Sequence, residues 1–209
     1  MSTVPMPVPR HALGMPRGSV RAILALMVVA LVCALMLIPP REDKPIVIPS
    51  YLLYLLFLVV GHYFAARGHA RGEGNAWGSQ PLNLPRGCIR LTILVALTAT
   101  CIYRWTSDPE GFKAQWLASV KALEEAPLLP VIVLLGFFAG ALLRMVIGDQ
   151  PPPAWQDMEA WVSLIAVILM AASAMIHLVI NLSLPENLDP WLLEGILSGV
   201  VAFYFGERS

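Results

Sequence analysis

The sequence predicts an all-α integral membrane protein with six transmembrane helices. They are expected as three helical hairpins, with one amphipathic interfacial helix in the third connection. Three observations lead there. The 209-residue chain is 57% hydrophobic and only 13% charged, with a mean hydropathy of +0.70; a soluble domain carries roughly 25% charged residues. The charges are also segregated, leaving long uncharged stretches between them, as in a polytopic membrane protein. Finally, the ends of the apolar runs repeat one another. "PRGSVR" at Pro16–Arg21 returns as "PRGCIR" at Pro85–Arg90, and "VVGHYFAARG" at Val59–Gly68 returns as "VVAFYFGERS" at Val200–Ser209.

Residues 1–16 contain four prolines and no usable periodicity, and are expected as an irregular cytoplasmic arm. A helix crossing the hydrocarbon core needs about 20 mainly apolar residues at about 1.5 Å each. Val20–Ile38, Ile48–Ala66, Pro127–Ile147 and Ala160–Asn181 meet this directly. The first is expected as a retained span. Val32 precedes Cys33 where a lipoprotein signal needs a small residue, and "IPPRED" offers no cleavage site. Two shorter runs complete the six. "LTILVALTATCIY", between Arg90 and Arg104, begins like the first span, and "WLLEGILSGVVAFYFG", which carries Glu194, ends like the second. No tryptophan sits mid-span in this map, as expected for an interfacial aromatic belt.

Between the third and fourth spans, "SDPEGFKAQWLASVKALEE" reads as a surface helix over about residues 108–125. Ser107 or Asp108 is placed to cap it, Pro109 suits its first position, and Glu110 suits its first turn. Phe112, Trp116, Val120 and Leu123 recur at helical spacing. Such a stripe fits either the outer membrane surface or a partner protein.

The resulting organisation is a first hairpin over 17–68, a connector over 69–84 and a second hairpin over 85–148. A connector over 149–158 then leads to a third hairpin over 159–209. Odd helices run outward and even helices return, which brings the repeated words to one face. Arg21, Arg67, Arg90, Arg144 and Arg208 would anchor that face. With the N-terminus inside, the inner segments hold nine Lys and Arg residues and the outer connections hold five. That bias places both termini in the cytoplasm of a bacterial-type inner membrane. Each even helix also carries small residues four apart: Gly61/Ala65, Gly136/Gly140 and Gly195/Gly199, with Ala202/Gly206 in register with the first. Such pairs let helix backbones approach closely in lipid.

The ending "GVVAFYFGERS" at Gly199–Ser209, and more loosely "LVVGHYFAARG", resembles the last helix of small holin-like hairpin proteins of bacteria, phages and gene-transfer agents. Those proteins finish in a "VVGYYFGS"-type string and have two or three spans. The resemblance implies a hairpin that associates laterally in the membrane, here elaborated three-fold.

No phosphate loop, nucleophile elbow, zinc motif or dinucleotide fingerprint occurs. Cys33, Cys88 and Cys101 form no CxxC pair, and Cys33 and Cys101 read as small hydrophobes. Net charge is zero, so nothing points to nucleic acid. One polar group stands out. Ser173, His177 and Asn181 fall on one face of the fifth span, and Glu194 and Ser198 on one face of the sixth. An antiparallel turn between Asn181 and Pro190 sets His177 level with Glu194. Ionisable groups in a span mark ion or proton paths, or pair structurally. His62 reads as an interfacial hydrogen-bonder, although a lone histidine also has the chemistry to hold a haem or chlorin from one side. The expected function is that of a non-enzymatic structural or assembly subunit without cofactor, partnered by the bilayer and by itself or other membrane subunits. The alternative is a channel or transporter for a small ion or proton on the polar face of the third hairpin.

Overall fold

The computed structural model describes residues 13, 15–16, 18–38, 47–65, 82, 84–85, 87–147, 152–175 and 190–207. Among them are seven α-helices and no strand: α1 (Ser19–Leu37), α2 (Ser50–Ala65), α3 (Cys88–Ser107), α4 (Pro109–Glu125), α5 (Leu129–Ile147), α6 (Pro153–Met175) and α7 (Pro190–Glu207). Four are long and apolar enough to cross a membrane: Ser19–Leu37, Cys88–Ser107, Leu129–Val146 and Ala154–Met175. Ser50–Phe64 is apolar but shorter.

α1 is the central helix. Its buried residues, from Val20 through Val28 and Val32 to Met36, face α2, α3 and α6 around its circumference. The outer helices do the opposite. Leu91, Val95, Ile102 and Tyr103 on α3 and Leu135, Phe138, Met145 and Val146 on α5 are exposed. A soluble protein rarely leaves apolar patches of this extent open, so these helices have the surface of a membrane-embedded protein.

The repeated helix starts are repeated in three dimensions. Gly18 and Gly87 both adopt left-handed backbone, with φ of 82° and 92°, immediately before α1 and α3. The Ser19 amide donates to Pro16 O at 3.0 Å, and the Cys88 amide donates to Pro85 O at 3.1 Å. The likeness begins further upstream than the "PRG" words, because Leu13 and Leu82 share positive φ values of 57° and 55°. Both leucines are anchored. The Leu13 amide donates to Asp157 Oδ1 on α6, and the Leu82 amide donates to Ser19 Oγ at 2.9 Å. The end of the expected irregular arm is therefore held against the bundle.

Two expectations need correction. α6 begins at Pro153, inside the expected connector over 149–158, because proline suits a first helical turn whose amide would be unpaired anyway. Trp155 consequently lies in a helix, and exposed Trp161 lies two turns along it. The second hairpin is also not a packed unit. α3 lies against α1 and α5 lies against α7, while α3 and α5 share no substantial contact. The 17-residue α4 separates them in sequence, and glycines give α5 a closer neighbour elsewhere.

Candidate functional site

The closest helix approach is the α5/α7 seam. A Cβ added at Gly136 would collide with Gly199 O. One at Gly140 would collide with Phe203 O and lie 2.7 Å from Glu207 N, and one at Gly206 would collide with Phe137 O. Backbone thus lies directly on backbone, which only glycine permits. Gly195 and Gly199 take the side chain of Ile132 instead, at 3.1 and 3.3 Å from their added Cβ atoms. The contacts advance together along both chains, so the two helices run parallel. Gly61 behaves differently, being exposed with nothing within 4 Å of an added Cβ. It is not a packing position among the described residues. Ala65 ends α2, and its side chain lies outside the described residues.

At one end of the bundle the repeated words converge. The Arg21 guanidinium on α1 lies 2.6 Å from His62 Nε2 on α2. An arginine can only donate, so Nε2 accepts and the ring proton sits on Nδ1. That bond occupies the nitrogen a one-sided haem ligand would use. The His62 ring also meets Phe205 of α7 edge-on, with centroids 5.5 Å apart. Arg21, Arg90 and Tyr204 all lie within electrostatic reach of the Tyr63 hydroxyl. Gly140 beside Phe203 and Glu207 brings the α5 end bearing Arg144 to the same level. The starts of α1, α3 and α6 and the ends of α2, α5 and α7 therefore share one end of the molecule. Arg67 and Arg208 lie outside the described residues.

The opposite end is closed by α4. Asp108 accepts from the Gly111 amide at 2.9 Å, capping a helix whose first residue is Pro109. Its bundle-facing side is polar. Gln115 Nε2 donates to Leu35 O at 3.2 Å, and Ser119 Oγ accepts from the Ile48 amide at 3.1 Å while donating to Gln115 O at 2.8 Å. Helix ends leave unpaired carbonyls and amides, and α4 satisfies one at the end of α1 and one just before α2. The expected apolar stripe is split as a result. Phe112 and Leu123 turn inward, while Trp116 and Val120 are exposed.

The polar group of the third hairpin falls only partly among the described residues. His177 and Asn181 lie outside the described residues, and so does the expected His177–Glu194 pairing. Ser198 is buried, and its hydroxyl donates to Gly195 O of its own helix at 2.9 Å. Ser173 on α6 is half-buried. Glu194, also half-buried, lies within electrostatic reach of Tyr51 on α2. Tyr51 is fully buried, and its hydroxyl donates to Met170 O of α6 at 3.3 Å. Sequence reasoning missed Tyr51. The available signal was a phenol inside the apolar run "SYLLYLL", since a buried tyrosine hydroxyl needs a partner. No cluster of three or more His, Cys, Asp or Glu suited to a metal ion occurs among the described residues, and the three cysteines are free.

No family model, curated protein or solved structure matches the chain.

Proposed function

We propose that this chain is a six-span protein of a bacterial-type inner membrane with both termini cytoplasmic. In this reading it is a non-enzymatic structural or assembly subunit, working as a homo-oligomer or within a larger membrane complex. Its partners are the lipid bilayer and other copies or other subunits, with no nucleic acid. α2 and α7 join the four longer helices as spans, α4 lies at the outer interface, and the likeness to holin-like hairpins extends to lateral association.

One observation carries the reading: the buried or partly buried polar side chains of Tyr51, Gln115, Ser119 and Ser19 hold separate elements together. Tyr51 ties α2 to α6, Gln115 and Ser119 tie α4 to the ends of α1 and α2, and Ser19 receives the chain leading into α3. A conducting path would need such groups turned toward water or substrate. Meanwhile the broad apolar faces of α3 and α5 stay available to lipid or to neighbouring subunits.

The first experiment is topological. Cysteines placed at Asn83 and at exposed Lys113 are expected to react with an impermeant reagent from opposite sides of the membrane. Reaction from one side would remove α3 as a span. Mass determination in mild detergent, with identification of co-purifying chains, then reads the assembly role; a monomer without partners would count against it.

A second reading is favoured by half-buried Glu194, within electrostatic reach of Tyr51. It makes the chain a channel or transporter for a small ion or proton through Ser173, His177, Asn181, Glu194 and Ser198. Flux in proteoliposomes decides between the two.

A further inference from the structure

α5 and α6 both pack on α7 but make no substantial contact with each other. Between them runs a trench of about 590 Å³, within the usual range for a ligand site. Its floor is Ile196, Gly199, Val200 and Phe203 of α7. The cause is the glycine seam. Because Gly136 lets α5 sink onto the backbone of α7, no α5 side chain bulges at that level to fill the space toward α6.

Three features define what the trench accepts. The first is length. Its α5 wall runs from Ile132 to Leu143, its α6 wall from Trp155 to Ser163 and its floor from Ile196 to Phe203, about 17, 12 and 10 Å at helical rise, so it spans most of one leaflet of a hydrocarbon core about 30 Å thick. The second is position, since the Leu143 and Phe203 end is the one where the repeated words meet and the Ile132 and Ile196 end lies deeper. The third is polarity. The open lining is almost wholly apolar, although buried Glu159 and Ser163 of α6 stand in its wall, and Trp155 Nε1, at the shallow end, is buried without an acceptor among the described residues. A buried donor left unpaired is costly, and a ligand oxygen would satisfy it once the indole turns to open that nitrogen to the trench.

We infer that this trench is a binding site for one acyl chain of a glycerophospholipid from the leaflet on the side of the repeated words. The Trp155 indole N–H donates to the ester carbonyl where that chain joins the head group. A hydrocarbon tail fits the apolar wall, its length fits the leaflet, and its ester oxygen would sit level with the unpaired indole donor. The site rests on the membrane reading proposed above.

The test uses the full chain extracted from membranes in mild detergent. Membrane fractionation first reads the membrane assignment separately. Native mass spectrometry and lipid analysis then count retained phospholipid. One phospholipid per chain is expected for the natural sequence. Ala139→Phe, at an exposed residue of the trench wall, should lower retention at least tenfold, roughly the effect of 1.4 kcal/mol. Leu142→Phe, on the exposed surface outside the lining, should leave retention unchanged. Trp155→Phe keeps an aromatic ring, though a smaller one, and loses the donor, and should weaken retention roughly three- to tenfold. Phosphatidylcholine brominated near the carboxyl end of its acyl chain should quench the natural protein's tryptophan fluorescence more than it quenches Trp155→Phe. A membrane-borne chain that retains no phospholipid would overturn the inference and leave the membrane reading standing. So would retention indifferent to Ala139→Phe, or an isoprenoid quinone in place of the phospholipid.

Discussion

Two parallel helix pairs, α1/α3 and α5/α7, hold this bundle together by different means. α1 meets α3 through branched side chains, with Val20, Ile89 and Ile93 buried, and through the Ser19 hydroxyl that receives the Leu82 amide. α5 meets α7 through almost nothing but backbone at Gly136, Gly140 and Gly206. The first pair lies against the buried core of α1 and α2. The second lies among helices with broad exposed apolar faces, where lipid competes for side-chain contact on equal terms. Close backbone approach gains dispersion that lipid cannot match, which is why glycines gather on this seam. The same close fit leaves the trench between α5 and α6.

The largest effect should come from closing that difference. Gly140→Leu forces a side chain into the space held by Phe203 O and should destabilise the folded chain by about 3 kcal/mol or more, beyond ordinary overpacking because backbone must move. Gly61→Leu, in open space, is the matched control and should change stability by less than about 0.5 kcal/mol. Thermal unfolding in detergent reads both. If the two variants unfold alike, the seam does not hold the bundle.

A smaller effect is expected where side chains do the joining. Ser119→Ala removes the acceptor of the buried Ile48 amide and should cost about 1–3 kcal/mol, the range for a buried polar group left unpaired. Hydrogen exchange should then speed at the Ile48 amide, while amides of the α5/α7 seam stay protected. Uniform acceleration would mean that the two ends of the molecule open together.

The helices were legible in the sequence because apolar length and punctuation are local properties. Asp108 and Pro109 mark the start of α4 by residue type alone, and the "PRG" words mark two helix starts. Helix partners were less legible. Gly136, Gly140 and Gly199 were identifiable as small residues suited to close packing, but nothing in the sequence said that α5 would meet α7 rather than α3. Neighbours in sequence usually pack together, and here a third helix and a glycine seam override that tendency. Gly61 shows the converse, since a small residue with the right spacing packs only if a partner reaches it. Tyr51 and Gln115 escaped notice because their hydrogen bonds depend on register between helices, which periodicity within one helix does not encode.

Glu194 should give the smallest change in stability and the clearest division between the two functional readings. It is half-buried on α7, within electrostatic reach of Tyr51. Tyr51 already donates to Met170 O, so Glu194 is not what fixes α2 against α6. Glu194→Gln keeps shape and an acceptor oxygen while removing the charge, and a partly exposed charge is worth little to stability. A shift within about 0.5 kcal/mol is expected, with assembly in detergent unchanged. In proteoliposomes, a structural subunit should show no proton or cation flux above empty vesicles, either as the natural chain or as the variant. Flux in the natural chain that disappears in Glu194→Gln would establish the transporter reading, because the seam and the α4 cap are untouched by that substitution.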